Sequence, residues 1–220
     1  MFSLAHIART LLGAVITIAV SATIDAQDSV SDLLDFPFHD ADLVFVVPPT
    51  ANAITEVTCN NSDEAVDHVA IMHRIGGEHG LPYAIEAIGN EVSLTPLDSF
   101  IVHNIDCRLI VARMPGIDAE RSVRNALRYV GKPYDDLYIP NDSAIYCSEL
   151  VQLSFVDKTG AKVFQTIQMS FHDNSGQITD FWKEHYARHG MSVPEGEPGT
   201  NPSQLLQPPR MQIMRKMRRQ

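Results

Sequence analysis

Three side chains in this sequence have the types and settings that nucleophilic chemistry requires: Cys147, His68 and Glu86. Cys147 lies in the run Asn141-Asp142-Ser143-Ala144-Ile145-Tyr146-Cys147-Ser148-Glu149-Leu150-Val151. The polar cluster at its head can cap a helix, and Leu150, Val151 and Phe155 follow at helical spacing. The thiol therefore falls in a first helical turn, where unpaired N–H groups and the macrodipole favour a thiolate. The competing reading is a small buried hydrophobe, a common fate of a free cysteine. His68 opens an apolar segment, and Glu86 stands inside Ala84-Ile85-Glu86-Ala87-Ile88, where a carboxylate is costly unless paired. If the two segments are neighbouring strands, Glu86 can hold the imidazole and leave its other nitrogen to face Cys147. Taken singly, His68 reads as a satisfied core histidine and Glu86 as a residue on a wet strand face. Their occurrence together with Cys147 carries the catalytic reading.

The elements that would position them are short. Asp42-Leu43-Val44-Phe45-Val46-Val47, stopped by Pro48-Pro49, reads as a buried strand, and His68 to Met72, ended by Gly76-Gly77, as a second. Tyr83 to Ala87 is a third, closed by the tight-turn pair Gly89-Asn90, and Glu91 to Leu94 begins the next. Arg108 to Arg113 is another. The period then changes: Asp118 can cap a helix with Val123, Ala126, Leu127 and Val130 on one face and Gly131 as its C′ residue. Beyond the Cys147 helix the chain reads as irregular, and five prolines in 192–209 predict an extended surface arm. Hairpin-linked strands with helices gathered on one side predict an α+β domain with a mainly antiparallel sheet.

Composition limits the setting. The chain has 220 residues, 45% hydrophobic and 20% charged, which suits one domain with a real core. His6 and Arg9 precede an apolar stretch from Leu11 to Val20 and small residues ending at Ala22 or Ala26. That stretch is too short to span a bilayer and predicts a cleaved signal peptide at 1–26, with no integral membrane segment left after cleavage. The expected domain is 27–203, followed by a solvated basic tail at 204–220. Without the signal and residues 210–220, 11 basic face 26 acidic side chains, a balance that argues against a nucleic-acid partner. Three cysteines leave one over: either Cys59 and Cys107 pair in an oxidising compartment, leaving Cys147 free, or Cys59 is itself an unpaired loop residue. His185 and His189 stand four apart without a HExxH, so no metal and no other cofactor is expected.

Asp42-Leu43-Val44-Phe45, His68-Val69-Ala70-Ile71, the Ile85-Glu86-Ala87 strand, Gly131-Lys132-Pro133-Tyr134-Asp135, Tyr146-Cys147-Ser148-Glu149-Leu150-Val151 and Pro198-Gly199-Thr200-Asn201-Pro202 resemble the YiiX/YebB-like group. These are circularly permuted relatives of the NlpC/P60 cysteine peptidases. The resemblance implies a papain-like fold, with a mainly antiparallel sheet or small barrel and the histidine ahead of the cysteine. It further implies Cys147 as nucleophile, His68 as general base, Glu86 as its orienting group, and Tyr134 and Tyr146 on the substrate side. Ala41 stands where the group usually has glycine, which should alter a turn and not the chemistry. With the signal, it implies a periplasmic or secreted thiol hydrolase cleaving an amide in a cell-wall stem peptide or related small peptide. Two alternatives remain: a lipid or thioester hydrolase or acyltransferase using the same triad, and a non-catalytic binding module.

Overall fold

Leu43–Val47 (β1) is buried at every position, because it runs through the middle of a sheet covered on both faces. That is why its sequence is a continuous apolar run and not an alternation. The computed structural model describes residues 30–58, 64–77, 79–140 and 143–217. A 3-10 helix (Val30–Asp35) precedes β1, and α1 (Ala53–Thr58) follows it. Then come β2 (His68–Ile75), β3 (Leu81–Ile88), β4 (Glu91–Pro96), α2 (Leu97–His103), β5 (Arg108–Arg113) and α3 (Ala119–Leu127). The second half adds α4 (Cys147–Ser154), β6 (Ile167–Gln168), α5 (Asp180–Arg188), β7 (Pro198–Gly199), α6 (Pro202–Leu205) and β8 (Gln212–Met217). The main sheet has the order β4-β3-β2-β1-β5-β8, antiparallel throughout. This is an α+β architecture.

Leu43, Phe45, Ile71, Ile85 and Ile110 form one core with Val123 and Ala126 of α3 and Leu150 and Val151 of α4. Val44, Ala70, Met72 and Val111 form a second with Leu33 of the 3-10 helix and Leu97, Phe100 and Ile101 of α2. A third cluster, Val57, Met169, Phe171, Trp182 and Tyr186, ties α1 and α5 together. Gly89 turns β3 into β4 at φ +62°, a conformation that suits glycine. Ala41, just before β1, sits at φ +63° and is buried. A non-glycine residue held there costs about 1 kcal/mol, the physical reason a glycine would suit the position.

Asp42 anchors the start of β1. It is fully buried, accepts from Nε of Arg113 at 2.6 Å and from a terminal guanidinium nitrogen at 2.8 Å, and takes the N–H of His39 at 2.8 Å. The carboxylate in turn holds the Arg113 guanidinium above its ordinary pKa, its hydrogen bonds outweighing burial. Asp42→Ala should lower unfolding stability by about 3 kcal/mol, because it strips a desolvated ion pair of one partner. Urea denaturation followed by circular dichroism measures that loss, and a change within experimental error would contradict the assignment.

Several expectations are corrected. The N-cap of α4 is Tyr146, whose N–H points to Glu149 Oε2 at 3.5 Å; Ser143 of the polar cluster lies three residues upstream, and Asn141 and Asp142 lie outside the described residues. Asp118 does cap α3, accepting from the N–H of Arg121, but the helix stops at Leu127. Val130 is therefore exposed, and Gly131 belongs to the following turn, where its N–H bonds Val92. The region expected to be irregular contains α5. The proline-rich arm is not confined to the surface: Gly199, Thr200, Pro202, Ser203 and Leu205 are buried. Nor is the basic segment a solvated tail, since Gln212–Met217 is the edge strand beside β5. Lys216 bonds Glu64 at 2.8 Å, Arg215 lies over the Phe36 ring and Met217 is buried. Cationic side chains on that edge discourage further strand pairing. Residues 1–26, and the Cys59–Cys107 pairing through Cys59, lie outside the described residues.

Candidate active site

β2 and β3 are paired neighbours, and α4 packs across both, so the strand that begins with His68 and the strand that holds Glu86 meet the helix that begins with Cys147. His68 Nε2 lies 2.7 Å from Glu86 Oε2. A carboxylate only accepts, so Nε2 carries the hydrogen of this bond and Nδ1 is the nitrogen left for a second partner. That partner is Cys147. Burial would pull the pKa of His68 down, but the hydrogen bonds to Cys147 and Glu86, and the charge on each, raise it to about 10. The ring thus keeps its proton through neutral pH. Glu86 is 1% exposed, a burial that makes sense for a carboxylate facing an imidazolium. Cys147 is a free thiol, 3% exposed, and it also packs into the apolar core.

Tyr134 and Tyr146, the expected substrate-side residues, both stand near the sulfur. Burial and the Cys147 charge push the Tyr134 hydroxyl well above the ordinary phenol range. Burial pushes Tyr146 up to about 12, although its hydroxyl oxygen accepts the N–H of Thr200 at 2.9 Å. Both remain neutral hydroxyls at physiological pH. Gly199, one residue earlier, approaches so closely that a Cβ there would meet Met169 Cγ at 2.6 Å and Tyr146 Oη at 3.0 Å. Gly199→Ala should therefore push the arm off Tyr146 and cost about 1–3 kcal/mol, read as a lower thermal midpoint.

Tyr138 is a site residue that sequence reasoning missed. It holds φ +53°, a strained conformation for tyrosine. The strain is held by Asp135, whose buried carboxylate accepts the N–H groups of Leu137 at 3.0 Å and Ile139 at 2.9 Å. Its ring packs edge-on against Tyr134, Tyr146 and Trp182, and its hydroxyl lies 3.4 Å from that of Tyr134. Burial pushes the Tyr138 hydroxyl up to about 12. Asp67, next to His68, was also missed. Asn52, which accepts the N–H groups of Ile54 and Thr55 at the start of α1, donates to its carboxylate at 2.6 Å.

A narrow apolar crevice of about 30 Å³ lies against Cys147, between Ile54, Tyr138, Tyr146, Met169, Phe171 and Trp182. Through Ile54, Tyr138 and Trp182 it adjoins a wider trough of about 350 Å³ that reaches Asp136 and His185. Among the described residues one donor set could hold a metal: Asp136 with His185 and His189. The expectation of no metal at those histidines rests on the absence of an HExxH beside them in the sequence. No helix among the described residues is long and apolar enough to cross a membrane.

The uncharacterized protein YiiX of Escherichia coli K12 is 27% identical over 179 residues, which is 77% of this chain and 87% of that protein. The crystal structure of the metalloprotein YiiX from Escherichia coli O157:H7 shares the fold, with a TM-score of 0.66 at 21% identity over 83% of this chain and 99% of the other. The sequence pattern of the permuted papain-like amidase enzymes matches residues 39–215, and the chain belongs to that family, YaeF/YiiX or C92.

Proposed function

We propose that the protein is a thiol amidase in which Cys147 is the nucleophile, His68 the general acid and base, and Glu86 the group that orients His68. One observation supports this most: a single imidazole bridges the buried Glu86 carboxylate and the Cys147 sulfur, and both partners favour its protonated form. The sulfur attacks the amide carbonyl carbon, and the N–H of Cys147, in the first turn of α4, donates to the developing oxyanion. The Tyr134 hydroxyl, neutral and near the sulfur, orients the substrate. His68 gives the Nδ1 proton to the leaving nitrogen as the C–N bond breaks, leaving an acyl thioester on Cys147. Water then attacks the thioester, His68 takes a proton from it, and the free acid leaves with the Cys147 sulfur released and the His68 imidazolium restored.

The imidazolium is needed as the acid, so the alkaline limb of kcat/KM should fall near pH 10. Glu86→Gln removes a negative charge that helps keep the proton on His68, so the limb should move to lower pH. An unmoved limb would show that Glu86 does not tune the base.

Export, together with the family, makes a cell-wall stem peptide or related small peptide the first substrate reading. A lipid or thioester substrate is the second, and the apolar crevice beside Cys147 favours it, because an acyl chain suits those walls better than a charged stem peptide does. Muropeptides and a series of N-acyl amides of rising chain length separate the two. Amine release and an acyl mass on Cys147 are expected with at least one set; neither signal with either set would leave the protein as a binding module. Sequencing the mature N-terminus tests export, which predicts a start at Thr23 or Gln27.

A further inference from the structure

Helix α5 ends beside the loop that carries Tyr138, and there Asp136, His185 and His189 each bring one potential ligand atom within 4.8 Å of the others. We propose that these three residues form a divalent transition-metal site that clamps the Tyr138 loop to α5 at the rim of the trough that shares Ile54, Tyr138 and Trp182 with the crevice beside Cys147.

Two imidazole nitrogens and one carboxylate oxygen make a borderline donor set, suited to Zn²⁺, Ni²⁺, Co²⁺ or Cu²⁺ and less to Mg²⁺ or Ca²⁺. His185 and His189 are four apart at the C-terminal end of α5, so helical geometry puts them on one face, and the end of the helix dipole there favours a cation. Their rings lie 5.6 Å apart between centroids. His185 is also preoriented. Its Nε2 lies 2.8 Å from the backbone carbonyl of Asp136, and a carbonyl only accepts, so Nε2 bears the hydrogen and Nδ1 keeps the lone pair. A backbone carbonyl that fixes the ring of a histidine in this way is the usual outer support of a metal ligand. Phe181, stacked at 8° and 5.9 Å, holds the plane of the same ring. Three protein ligands leave at least one position for water, as expected of an exposed site.

The place gives the site its consequence. Tyr186 Oη already donates to the Leu137 carbonyl at 2.7 Å, so with the His185 bond to the Asp136 carbonyl the loop is tied to α5 at two successive residues. A metal would add a third tie next to Tyr138 and stiffen the wall of the crevice.

The protein carries its own reporter: Trp182 is the single tryptophan, and its ring lies 5.9 Å from that of His185. Ni²⁺ titrated into the untagged full chain should give saturable quenching of its fluorescence. His189→Ala and Asp136→Asn, both at exposed positions, should each weaken the midpoint by at least about tenfold, a cost already typical of losing an outer-shell partner. Cys147→Ala should leave the titration unchanged. Absence of saturable quenching, wild-type midpoints in both ligand variants, or loss of the response in Cys147→Ala would each overturn the site. This readout is independent of amidase turnover, so it stands or falls separately from the proposed function.

Discussion

Cys147→Ala is expected to reduce amide hydrolysis by about 10⁴-fold or more, to the level of the uncatalysed reaction assisted by binding alone. The substitution removes one buried sulfur from the start of α4 and keeps the helix-forming side chain, so circular dichroism and the thermal midpoint should change little. Substrate binding, measured by calorimetry with the inactive variant, should survive. Loss of turnover with binding retained is the pattern of a group that acts on the transition state. Turnover within a few-fold of wild type would mean that Cys147 is the small core hydrophobe its burial also permits.

His68→Ala is expected to do two things at once. It removes the proton carrier, which lowers kcat by roughly 10³–10⁴-fold. It also leaves the Glu86 carboxylate, 1% exposed, without the imidazolium it faces, at a cost of about 3–5 kcal/mol. Urea denaturation therefore has to accompany the kinetics. The double variant His68→Leu/Glu86→Leu removes both charges and should recover much of the stability without recovering activity. Separation of the two effects would show that the pair is maintained for chemistry and not for folding. If His68→Ala costs no stability, the ion pair described here is absent in solution.

The parts of the fold with a strong local pattern were legible in the chain. β1 is an unbroken apolar run because both its faces are covered, and the Asp118 cap and α3 face follow from local hydrogen bonding and helical spacing. His68 and Glu86 could be picked out because each is a polar group in an apolar strand, and the pairing of β2 with β3 brings them together. What escaped lies where structure is set by distant partners. Tyr138 and Trp182 wall the crevice from a loop and a short helix, with no periodic signal to link them to Cys147. Asp136 meets His185 across 49 positions of sequence. β8 looked like a charged tail because edge strands carry cations outward, and only Met217 betrays the buried side. The Tyr146 cap was hidden because the reciprocal bond comes from Glu149, inside the helix, and not from the polar run before it.

Alkylation by iodoacetamide at pH 6, with the modified residue identified by peptide mapping, probes the Cys147–His68 pair without any assumption about substrate. An imidazolium beside the sulfur should let Cys147 react at least about tenfold faster than free cysteine, most of which is still protonated at that pH. A Cys147 that reacts no faster than free cysteine would contradict the pairing on which the proposed chemistry depends.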